Sequence, residues 1–547
     1  MRLPGGVPSA HVDGFARDLL PPPELWPVFD YSAPHLQAYP DRINAAATLI
    51  DGAVAAGFGA KTVYHFAGGS WTYAHLLDRA ERIARVLTED FGLVPGGRVL
   101  MRSGNTPMVV ACWLAVLKAG GICVMTMPLL RAKELVYMVE KARISIALCD
   151  LDLAEEMELT RDRASGLTHV AYFTALGEGG GDGADLDRRA EAKPAGFANV
   201  ETAADDVALI TFTSGTTGNP KGAMHFHRDI LAVADCWPRS HRVEEDEVIV
   251  GSPSLAFTYG LAAFLIYPLR YGASAVLLPK PTPDLVLDAV QRHRATSLYI
   301  VPTMLHAMLD QVGRYDIASV RKCSSAGEHL RPGLRESWRR ATGLAIVNGI
   351  GMTEMLTHFI AEPPGAGCEG STGLPVPGYS ACLLDEDFHP LPPGQRGRLA
   401  VRGPTGCRYL DDPDRQAAFV RNGWNVTGDI MEQDAEGWFW YVDRADDMIV
   451  SSGYNISAQE VERVVLEHPK VVECAVVGVP DEARGNVVRA CIVLDDPAQA
   501  GEALAEDIQA FVKAAIAPYK YPRDIKFMEM LPRTQTGKIQ RFRLRQL

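Results

Sequence analysis

Residues 213–222 read Thr213-Ser214-Gly215-Thr216-Thr217-Gly218-Asn219-Pro220-Lys221-Gly222, a loop of small residues that follows the apolar, strand-like run 207–212. From Ala223 onward the pattern predicts a helix. Glycines let the backbone approach phosphate oxygens, the hydroxyls add donors, and Lys221 adds a positive charge. The order of residues differs from that of a Walker A loop, because Pro220 precedes the lysine and Gly222 follows it. We therefore predict a nucleotide-binding loop of another kind; the alternative is a flexible turn.

Strands and helices alternate on both sides of this loop. Apolar runs at 99–101, 122–127 and 144–149 read as buried strands, with helices predicted at 72–87, 108–118 and 132–142 and with Thr72 as the first N-cap. A second block has strands at 276–278 and 297–301 and a helix at 285–293. This alternation predicts an α/β fold with doubly wound, mainly parallel sheets. The Gly-rich segment 177–199 reads as a surface excursion.

The pattern changes twice toward the C-terminus. After Gly378, short apolar runs such as 381–384 and 397–401 are broken by Gly and Pro, which predicts a β-rich subdomain. Beyond Asp446, a helix at 458–468, strands at 471–479 and 489–494 and a helix at 502–517 predict a small α+β domain. Because 547 residues exceed the usual size of one core, we predict an N-terminal domain of residues 1–445 and a mobile C-terminal domain of residues 446–547.

Composition excludes several classes of protein. The net charge of −13 argues against nucleic acid as a partner, so anionic substrates must be attracted by local positive groups. The ten cysteines form no Cys-x-x-Cys pair, which fits a reducing cytoplasm and gives no zinc-site spacing. The N-terminus lacks an apolar signal core, and no stretch holds the ~20 apolar residues of a membrane span. The predicted location is the cytoplasm, without a membrane partner.

Four further motifs follow the loop: Gly349-Ile350-Gly351-Met352-Thr353-Glu354, Thr427-Gly428-Asp429, Asp443-Arg444-Ala445-Asp446-Asp447 and Thr536-Gly537-Lys538. In order and spacing, the five motifs resemble the signature of the adenylate-forming superfamily of acyl-CoA synthetases, adenylation domains and luciferases. The resemblance covers nearly the whole chain. It implies that a small carboxylic acid attacks the α-phosphate of ATP, giving acyl-AMP and pyrophosphate, and that a thiol such as that of coenzyme A then displaces AMP.

The resemblance also implies roles for single residues. Glu354 is the Mg²⁺ ligand, Thr353 contacts the α-phosphate, and Lys538 bridges the carboxylate and α-phosphate oxygens during adenylation. Asp429 accepts the ribose hydroxyls, with Arg444 as an additional donor. The other implied nucleotide contacts are Thr213, Ser214, Gly215, Thr216, Thr217, Gly218, Lys221, Gly327, Glu328, Gly349 and Ile350.

His225 and His227 raise the question of a metal site. A zinc site is disfavoured, because residues at i and i+2 do not face together on a helix and no third ligand is near in sequence. By resemblance, His227 is instead expected near the acyl-phosphate.

One branch of the superfamily fits best. The run Gly-Ile-Gly-Met-Thr-Glu-Met-Leu from Gly349 resembles benzoate and 2-aminobenzoate CoA ligases, and residues 257–261 resemble their aryl-pocket segment. Where benzoate-type enzymes carry His after Met-Leu, this chain has Thr357 followed by His358, so a substituted, heteroaryl or larger cyclic acid stays open. The predicted acyl pocket comprises Phe257, Tyr259, Gly327, Ile350, Gly351 and Thr357.

The acceptor half of the reaction involves the C-terminal domain. The resemblance implies that this domain rotates about Asp446 and that Ser452, Gly453 and Tyr454 line the path of the coenzyme A thiol. The alternatives are a free-standing adenylation enzyme that loads a carrier protein and a member that performs only one half-reaction. A regulator that binds nucleotide without turnover would have no need for Lys538. The sequence leaves the oligomeric state open, with a homodimer as one option.

Overall fold

A six-stranded sheet carries the start of the glycine-rich loop. The computed structural model describes residues 7–37, 39–177, 184–213, 220–327, 330, 332–365, 368, 370–444, 448–532, 539 and 541–547, and the side chains of 332, 443, 444, 448, 455, 459 and 542 are not part of that description. The first five strands of the sheet are parallel and the sixth is antiparallel. Across the sheet they are His169–Phe173, Ile146–Asp150, Arg98–Arg102, Ile122–Thr126, Val207–Thr213 and Lys221–Phe226.

A nine-stranded sheet forms the second layer. Its six central strands are parallel, and the strands at both edges are antiparallel to their neighbours. In order they are Leu374–Pro375, Thr357–Ala361, Ile346–Met352, Lys322–Ser325, Ser297–Ile300, Val248–Gly251, Ser274–Val276, Thr62–Phe66 and Gly69–Thr72. The α/β class with mainly parallel sheets, predicted from the alternation of elements, is confirmed.

Helices pack on these sheets. The helix Tyr73–Arg85 begins where predicted, because the Thr72 side chain accepts a hydrogen bond from the backbone nitrogen of His75. Every residue of the apolar helix Pro107–Lys118 is buried, so this helix lies within the main hydrophobic core. In the described residues up to position 419, further α-helices are Ala132–Lys141, Ala154–Arg163, Asp185–Glu191, His227–His241, Tyr267–Tyr271, Pro283–His293, Pro302–Leu309, Pro332–Thr342 and Pro413–Phe419.

The remaining part of the chain matches the predicted change of pattern. A five-stranded antiparallel sheet contains Ser380–Leu384, Arg396–Arg402, Val420–Arg421, Trp424–Gln433 and Phe439–Arg444. After it come the hairpin Met448–Ser451 and Tyr454–Ser457 and a three-stranded sheet of Val471–Asp481, Gly485–Leu494 and Asp524–Phe527. The helices Ala458–Leu466, Glu502–Ala515 and Arg541–Leu544 accompany these strands. Among the described residues, no helix has both the length and the apolar character to cross a membrane.

Two predictions about secondary structure are wrong. The segment predicted as a helix from Ala223 is the strand Lys221–Phe226, and the helix begins only at His227. This strand pairs with Val207–Thr213 on one side, and on the other the Met224 nitrogen donates to the Arg408 carbonyl at 2.8 Å. The segment 177–199 is not only a surface excursion, because it contains the helix Asp185–Glu191, whose Leu186 is fully buried.

Candidate active site

A cavity of about 1810 Å³ opens where the parallel strands of both sheets end. Its wall includes Thr213, the last residue of one strand, and Ser252, Ala326 and Gly327, which directly follow two others. Ligands of α/β proteins bind at this carboxyl edge, because the strands end together there and the loops diverge. The topology alone therefore marks this cavity as the candidate site.

Most of the predicted site residues that the structure describes line this one cavity. They are Thr213, Lys221, Phe257, Tyr259, Gly327, Gly349, Ile350, Gly351, Thr353, Glu354, Thr357, Asp429, Ser452, Gly453 and Tyr454. Ser214, Gly215, Thr216, Thr217, Gly218, Glu328, Asp446 and Lys538 lie outside the described residues. Arg444 pairs with Asp429 on the adjacent strand through its backbone, and its side chain is not described. Residues from six separate stretches of sequence thus meet around one space.

Glu354 and Lys221 mark the polar end of the cavity. The Tyr409 hydroxyl donates a hydrogen bond of 2.6 Å to Glu354 Oε1, and Lys221 Nζ lies 5.3 Å from the centre of the Tyr409 ring. Burial, followed by the charge of Glu354, raises the pKa of Tyr409, so this phenol remains a neutral donor at physiological pH. A fixed carboxylate and a nearby ammonium group suit a cation–phosphate complex.

The polar end fits a magnesium ion bound together with nucleotide phosphates. Among the described residues, no group of three His, Cys, Asp or Glu side chains could hold a metal by itself. Mg²⁺ does not need such a cage, because it commonly binds one or two carboxylates, substrate phosphates and water. Glu354 supplies such a carboxylate in the cavity wall.

Aromatic side chains form another part of the cavity wall. The His358 ring packs edge-on against Tyr259 at 5.0 Å and lies 4.7 Å from Trp237, which stacks on His241 at 3.8 Å. Burial lowers the pKa of His358 to about 3, so its ring is neutral. The Tyr259 hydroxyl donates to the Ser324 carbonyl at 2.9 Å, which fixes the ring at the wall. This part of the cavity wall therefore presents flat, uncharged surfaces.

Thr357 directly precedes His358 and lies in the wall of the cavity; its role in an acyl pocket stays a prediction. Only 4% of its surface is exposed, and its hydroxyl lies near that of the buried Tyr267. Thr357 faces Met352 across the antiparallel pair of strands, and a Cβ atom on Gly351 would come within 2.5 Å of the Thr357 carbonyl oxygen. The close approach of these two strands thus requires glycine at position 351.

The placement of His227 at the acyl-phosphate is wrong. His227 is fully buried outside the cavity wall, and its Nδ1 accepts a hydrogen bond from the Ala45 nitrogen at 3.1 Å. His225 is the histidine that faces the Thr353 backbone, because it stands on the strand Lys221–Phe226 instead of a helix. Burial lowers the pKa of both histidines to about 3. The argument against a zinc site assumed that His225 and His227 lie on one helix, and this assumption is incorrect for His225.

The C-terminal part of the chain closes one side of the cavity. Ser452 and Gly453 form the turn of the hairpin, both with positive φ, and Arg484 donates to the Ser452 hydroxyl at 3.2 Å. Tyr454 follows this turn and packs 6.0 Å from Phe257 of the N-terminal part. The predicted path for an acceptor thiol thus lies next to the predicted acyl pocket.

The structure adds cavity residues that the sequence did not single out. Asn348, Thr372 and Tyr441 line the cavity, and Tyr409 supports it from outside. Tyr409 is 55 positions from Glu354, and no residue near either position in the sequence indicates that the two side chains are hydrogen-bonded. Only the pairing of residues 408–410 with the strand Lys221–Phe226 brings this phenol to the carboxylate.

Comparisons with known proteins agree with this geometry. The model of the AMP-binding enzyme family matches residues 53–408, and that of the AMP-binding enzyme C-terminal domain matches residues 460–538. Benzoate–CoA ligase of Thauera aromatica is 36% identical, over 92% of this chain and 96% of its own.

Two solved structures extend the comparison. An anthranilate CoA ligase, AuaEII, in complex with anthranoyl-AMP is 31% identical with a TM-score of 0.72, over 93% of this chain and 98% of its own. The amide bond synthetase McbA of Marinactinospora thermotolerans is 28% identical with a TM-score of 0.82, over 92% and 99%. The chain therefore belongs to the AMP-binding enzymes of the adenylate-forming superfamily, among the acyl-CoA ligases.

Proposed function

We propose that this chain is an ATP-dependent, AMP-forming ligase that activates an aromatic or cyclic carboxylic acid and transfers it to coenzyme A. One observation carries the proposal: a single cavity joins a carboxylate, an ammonium group and hydroxyls at one end to neutral aromatic surfaces at the other. The Thauera and AuaEII relatives, which act on benzoate and anthranilate, support an aromatic acid.

In the proposed first step, the carboxylate oxygen of the acid attacks the α-phosphorus of ATP, and pyrophosphate leaves. Attack by one anion on another requires positive charge and donors at the reacting oxygens. Lys221, Thr213 and Thr353 lie in the cavity wall where they can supply these groups, and we assign Lys538 to bridge the two reactants. Glu354 would hold Mg²⁺, which when bound neutralises phosphate charge. Asp429 accepts the ribose hydroxyls, and Arg444 is proposed to assist.

In the proposed second step, the thiol of coenzyme A attacks the acyl carbon and AMP leaves. Ser452, Gly453 and Tyr454 stand next to the aromatic end, so a pantetheine arm passing them would reach the acyl group. We propose that residues 1–445 and 446–547 are separate domains hinged at Asp446. The separate family matches at 53–408 and 460–538 support this division.

A screen for pyrophosphate release tests the proposal. Benzoate, 2-aminobenzoate, hydroxybenzoates, cyclohexanecarboxylate and hexanoate are each supplied with ATP and Mg²⁺, with and without coenzyme A. We expect release with ring acids above hexanoate, and thioester formation only when coenzyme A is present. Preference for hexanoate over every ring acid would contradict the aromatic assignment, and absence of release with all acids would contradict the ligase.

A different acceptor is the second candidate. The likeness to the amide bond synthetase McbA, with a TM-score of 0.82 over 92% of this chain, supports an amine as an alternative acceptor for the same acyl-AMP. A carrier-protein thiol is a third acceptor, and an enzyme that stops at acyl-AMP would use none. Supplying preformed acyl-AMP to the protein with coenzyme A, a phosphopantetheinyl carrier protein or a primary amine separates these outcomes, because only the true acceptor accelerates AMP release.

A further inference from the structure

Lys520 is a buried cation that contacts both parts of the chain. Its Nζ lies 2.6 Å from Glu134 Oε1 and 2.7 Å from Glu460 Oε1. Glu460 belongs to the helix Ala458–Leu466 of the C-terminal part, whereas Glu134 belongs to the helix Ala132–Lys141 of the N-terminal part. The exposed fractions of the three residues are 3%, 5% and 3%, so water hardly screens this cluster.

Of the two ion pairs that Lys520 makes, the one with Glu134 joins the two parts of the molecule. If the C-terminal part turned away, Lys520 would keep Glu460, and Glu134 would keep its second bond, in which Oε2 accepts from the Arg131 nitrogen at 2.9 Å. Burial lowers the pKa of Lys520, but Tyr519, Glu134 and Glu460 outweigh it, so the net pKa is raised and the amine stays charged. Because Lys520 is charged and buried in the interface, separating it from Glu134, its partner across the interface, costs free energy.

The ion pair adjoins the wall of the cavity. Tyr519 precedes Lys520, and its ring stacks on Tyr454 with 4.2 Å between ring centres and 26° between ring planes. Tyr454 in turn lines the cavity with Ser452 and Gly453. Ala517 lies in the same apolar cluster as Leu135, one residue beyond Glu134. The ion pair between Lys520 and Glu134 therefore helps to keep Tyr454 in the cavity wall, next to Phe257.

We propose that Glu134 is a positioning residue: its ion pair with Lys520 holds the Ser452–Tyr454 turn at the cavity for the acceptor step and is not needed to form acyl-AMP. The kinetic part of this inference rests on the proposed function. Its structural part, that Glu134 fastens the two parts of the chain together, does not.

The matched variants are Glu134→Gln and Glu460→Gln. Each replaces one carboxylate on Lys520 with an amide of the same shape, but only the first removes the charge pair across the interface. In Glu134→Gln we expect acyl transfer from supplied acyl-AMP to coenzyme A to fall about tenfold or more, with pyrophosphate release within twofold of wild type. In Glu460→Gln we expect both rates to stay within about twofold of wild type.

A second readout requires no turnover. Lys133 Nζ and Glu467 Oε1 lie 3.1 Å apart across the same interface, and both side chains are exposed, so the pair itself contributes little to stability. A zero-length carbodiimide cross-link between Lys133 and Glu467, quantified by mass spectrometry, reports how often the two parts stand together. We expect its yield to fall severalfold in Glu134→Gln and to be unchanged in Glu460→Gln.

The outcomes separate the two claims. Three results would each overturn the positioning role. The first is a cross-link yield that does not change in Glu134→Gln, and the second is a yield that falls equally in Glu460→Gln. The third is an equal loss of acyl-AMP formation and acyl transfer in Glu134→Gln. Wild-type protein that releases no pyrophosphate with any acid would overturn the proposed function while the cross-link still tests the fastening. Thermal unfolding checks that the variants fold. If Glu134→Gln does not fold, Glu134→Asp serves instead, because a shorter carboxylate cannot reach Lys520 and the Arg131 nitrogen together, and the same losses are expected.

Discussion

The phenol of Tyr409 fixes the carboxylate on which the proposed adenylation step depends. Tyr409→Phe removes the donor of the 2.6 Å hydrogen bond to Glu354 and leaves the ring in place. A buried hydrogen bond to a charged group contributes ~1.5–3 kcal/mol, so we expect kcat for pyrophosphate release to fall between about tenfold and a hundredfold. Because Glu354 would hold the magnesium ion, the Mg²⁺ concentration for half-maximal activity should rise as well.

A control separates this effect from general destabilisation. Tyr379 is also buried and shares a 2.8 Å hydrogen bond with Thr405, but it does not line the cavity. Tyr379→Phe should lower the thermal midpoint to a similar degree and leave the Mg²⁺ dependence unchanged. If Tyr409→Phe and Tyr379→Phe shift the Mg²⁺ requirement equally, Tyr409 has no specific role at the carboxylate.

Thr357 is the residue at which the pocket departs from the benzoate pattern. Thr357→His adds a ring to a wall already occupied by Tyr259 and His358, so we expect less room for bulky acids and a shift toward unsubstituted benzoate. Packing in an apolar pocket discriminates by ~1–3 kcal/mol per methylene-sized difference, which predicts a change of specificity of about one to two orders of magnitude. The measurement is kcat/KM for benzoate, ortho-substituted benzoates and a bulky alicyclic acid, and an unchanged rank order would exclude Thr357 as a determinant.

The sequence allowed residues of the cavity wall to be predicted where they stand in a short, continuous motif. Glu354, Thr353 and Asp429 stand in short runs with a defined order, and all three line the cavity. Tyr409 and His225 were not identified, because their relevance comes from contacts with residues far away in sequence. No pattern within a few residues carries that information.

At the scale of elements, the strands Ile346–Met352 and Thr357–Ala361 require glycine where they approach each other. In Gly351→Ala the new Cβ would lie 2.5 Å from the Thr357 carbonyl oxygen, a backbone atom that cannot rotate away. We expect a loss of ~1–3 kcal/mol of unfolding free energy and a strong loss of adenylation, because Thr353 and Glu354 continue from the same strand. Gly333→Ala is the control, since no atom lies within 4 Å of its Cβ position. Urea unfolding distinguishes the two, and equal stability would contradict the predicted clash.

The elements themselves were largely predictable, with one informative failure. Helices such as Pro107–Lys118 and Pro283–His293 have clear caps and apolar periodicity, so their bounds agree with the predicted ones within a few residues. The strand Lys221–Phe226 was predicted as the end of the loop followed, from Ala223, by a helix, because the four residues Ala-Met-His-Phe are too few to show a strand period before the helix that begins at His227. Its hydrogen bonds to the strand Val207–Thr213 and to residues 408–410 decide its conformation.

At the scale of the whole molecule, four buried histidines make stability depend on pH. Burial lowers the pKa of His225, His227 and His358 to about 3 and that of His241 to about 4, from the ordinary histidine value of 6.5. The unfolded chain therefore binds more protons as pH falls below about 6.5, which favours unfolding. Each histidine contributes up to ~1.4 kcal/mol per pH unit.

We therefore expect the thermal midpoint to be nearly constant above pH 7 and to fall steeply between pH 6.5 and 5.5. In that interval ordinary carboxylates remain ionised, so the histidines dominate the change. His241→Gln should make the slope shallower, because one of the histidines whose pKa is lowered by burial is removed. A midpoint that is flat from pH 7.5 to 5.5 would show that these histidines are protonated in the folded protein.

The proposal that the two parts of the chain serve different half-reactions comes from the resemblance, because no residue pattern within one domain specifies how that domain is oriented against another.

The final prediction concerns the proposed hinge between the two parts of the chain. Proline at Asp446 would fix φ near −65° and remove a backbone donor, which restricts any rotation there. Asp446→Pro should therefore spare pyrophosphate release and suppress thioester formation from supplied acyl-AMP.

Lys538→Ala is the complementary variant, because its ammonium group is proposed to act only while the carboxylate and ATP are joined. It should abolish acyl-AMP formation and leave acyl transfer to coenzyme A largely intact. Both half-reactions are measured separately in each variant, by pyrophosphate release and by thioester formation from supplied acyl-AMP. Opposite losses in the two proteins require two arrangements of the C-terminal part, one for each step. Wild-type transfer in Asp446→Pro would place the hinge elsewhere, and equal losses in Lys538→Ala would mean that the lysine serves both steps or the fold.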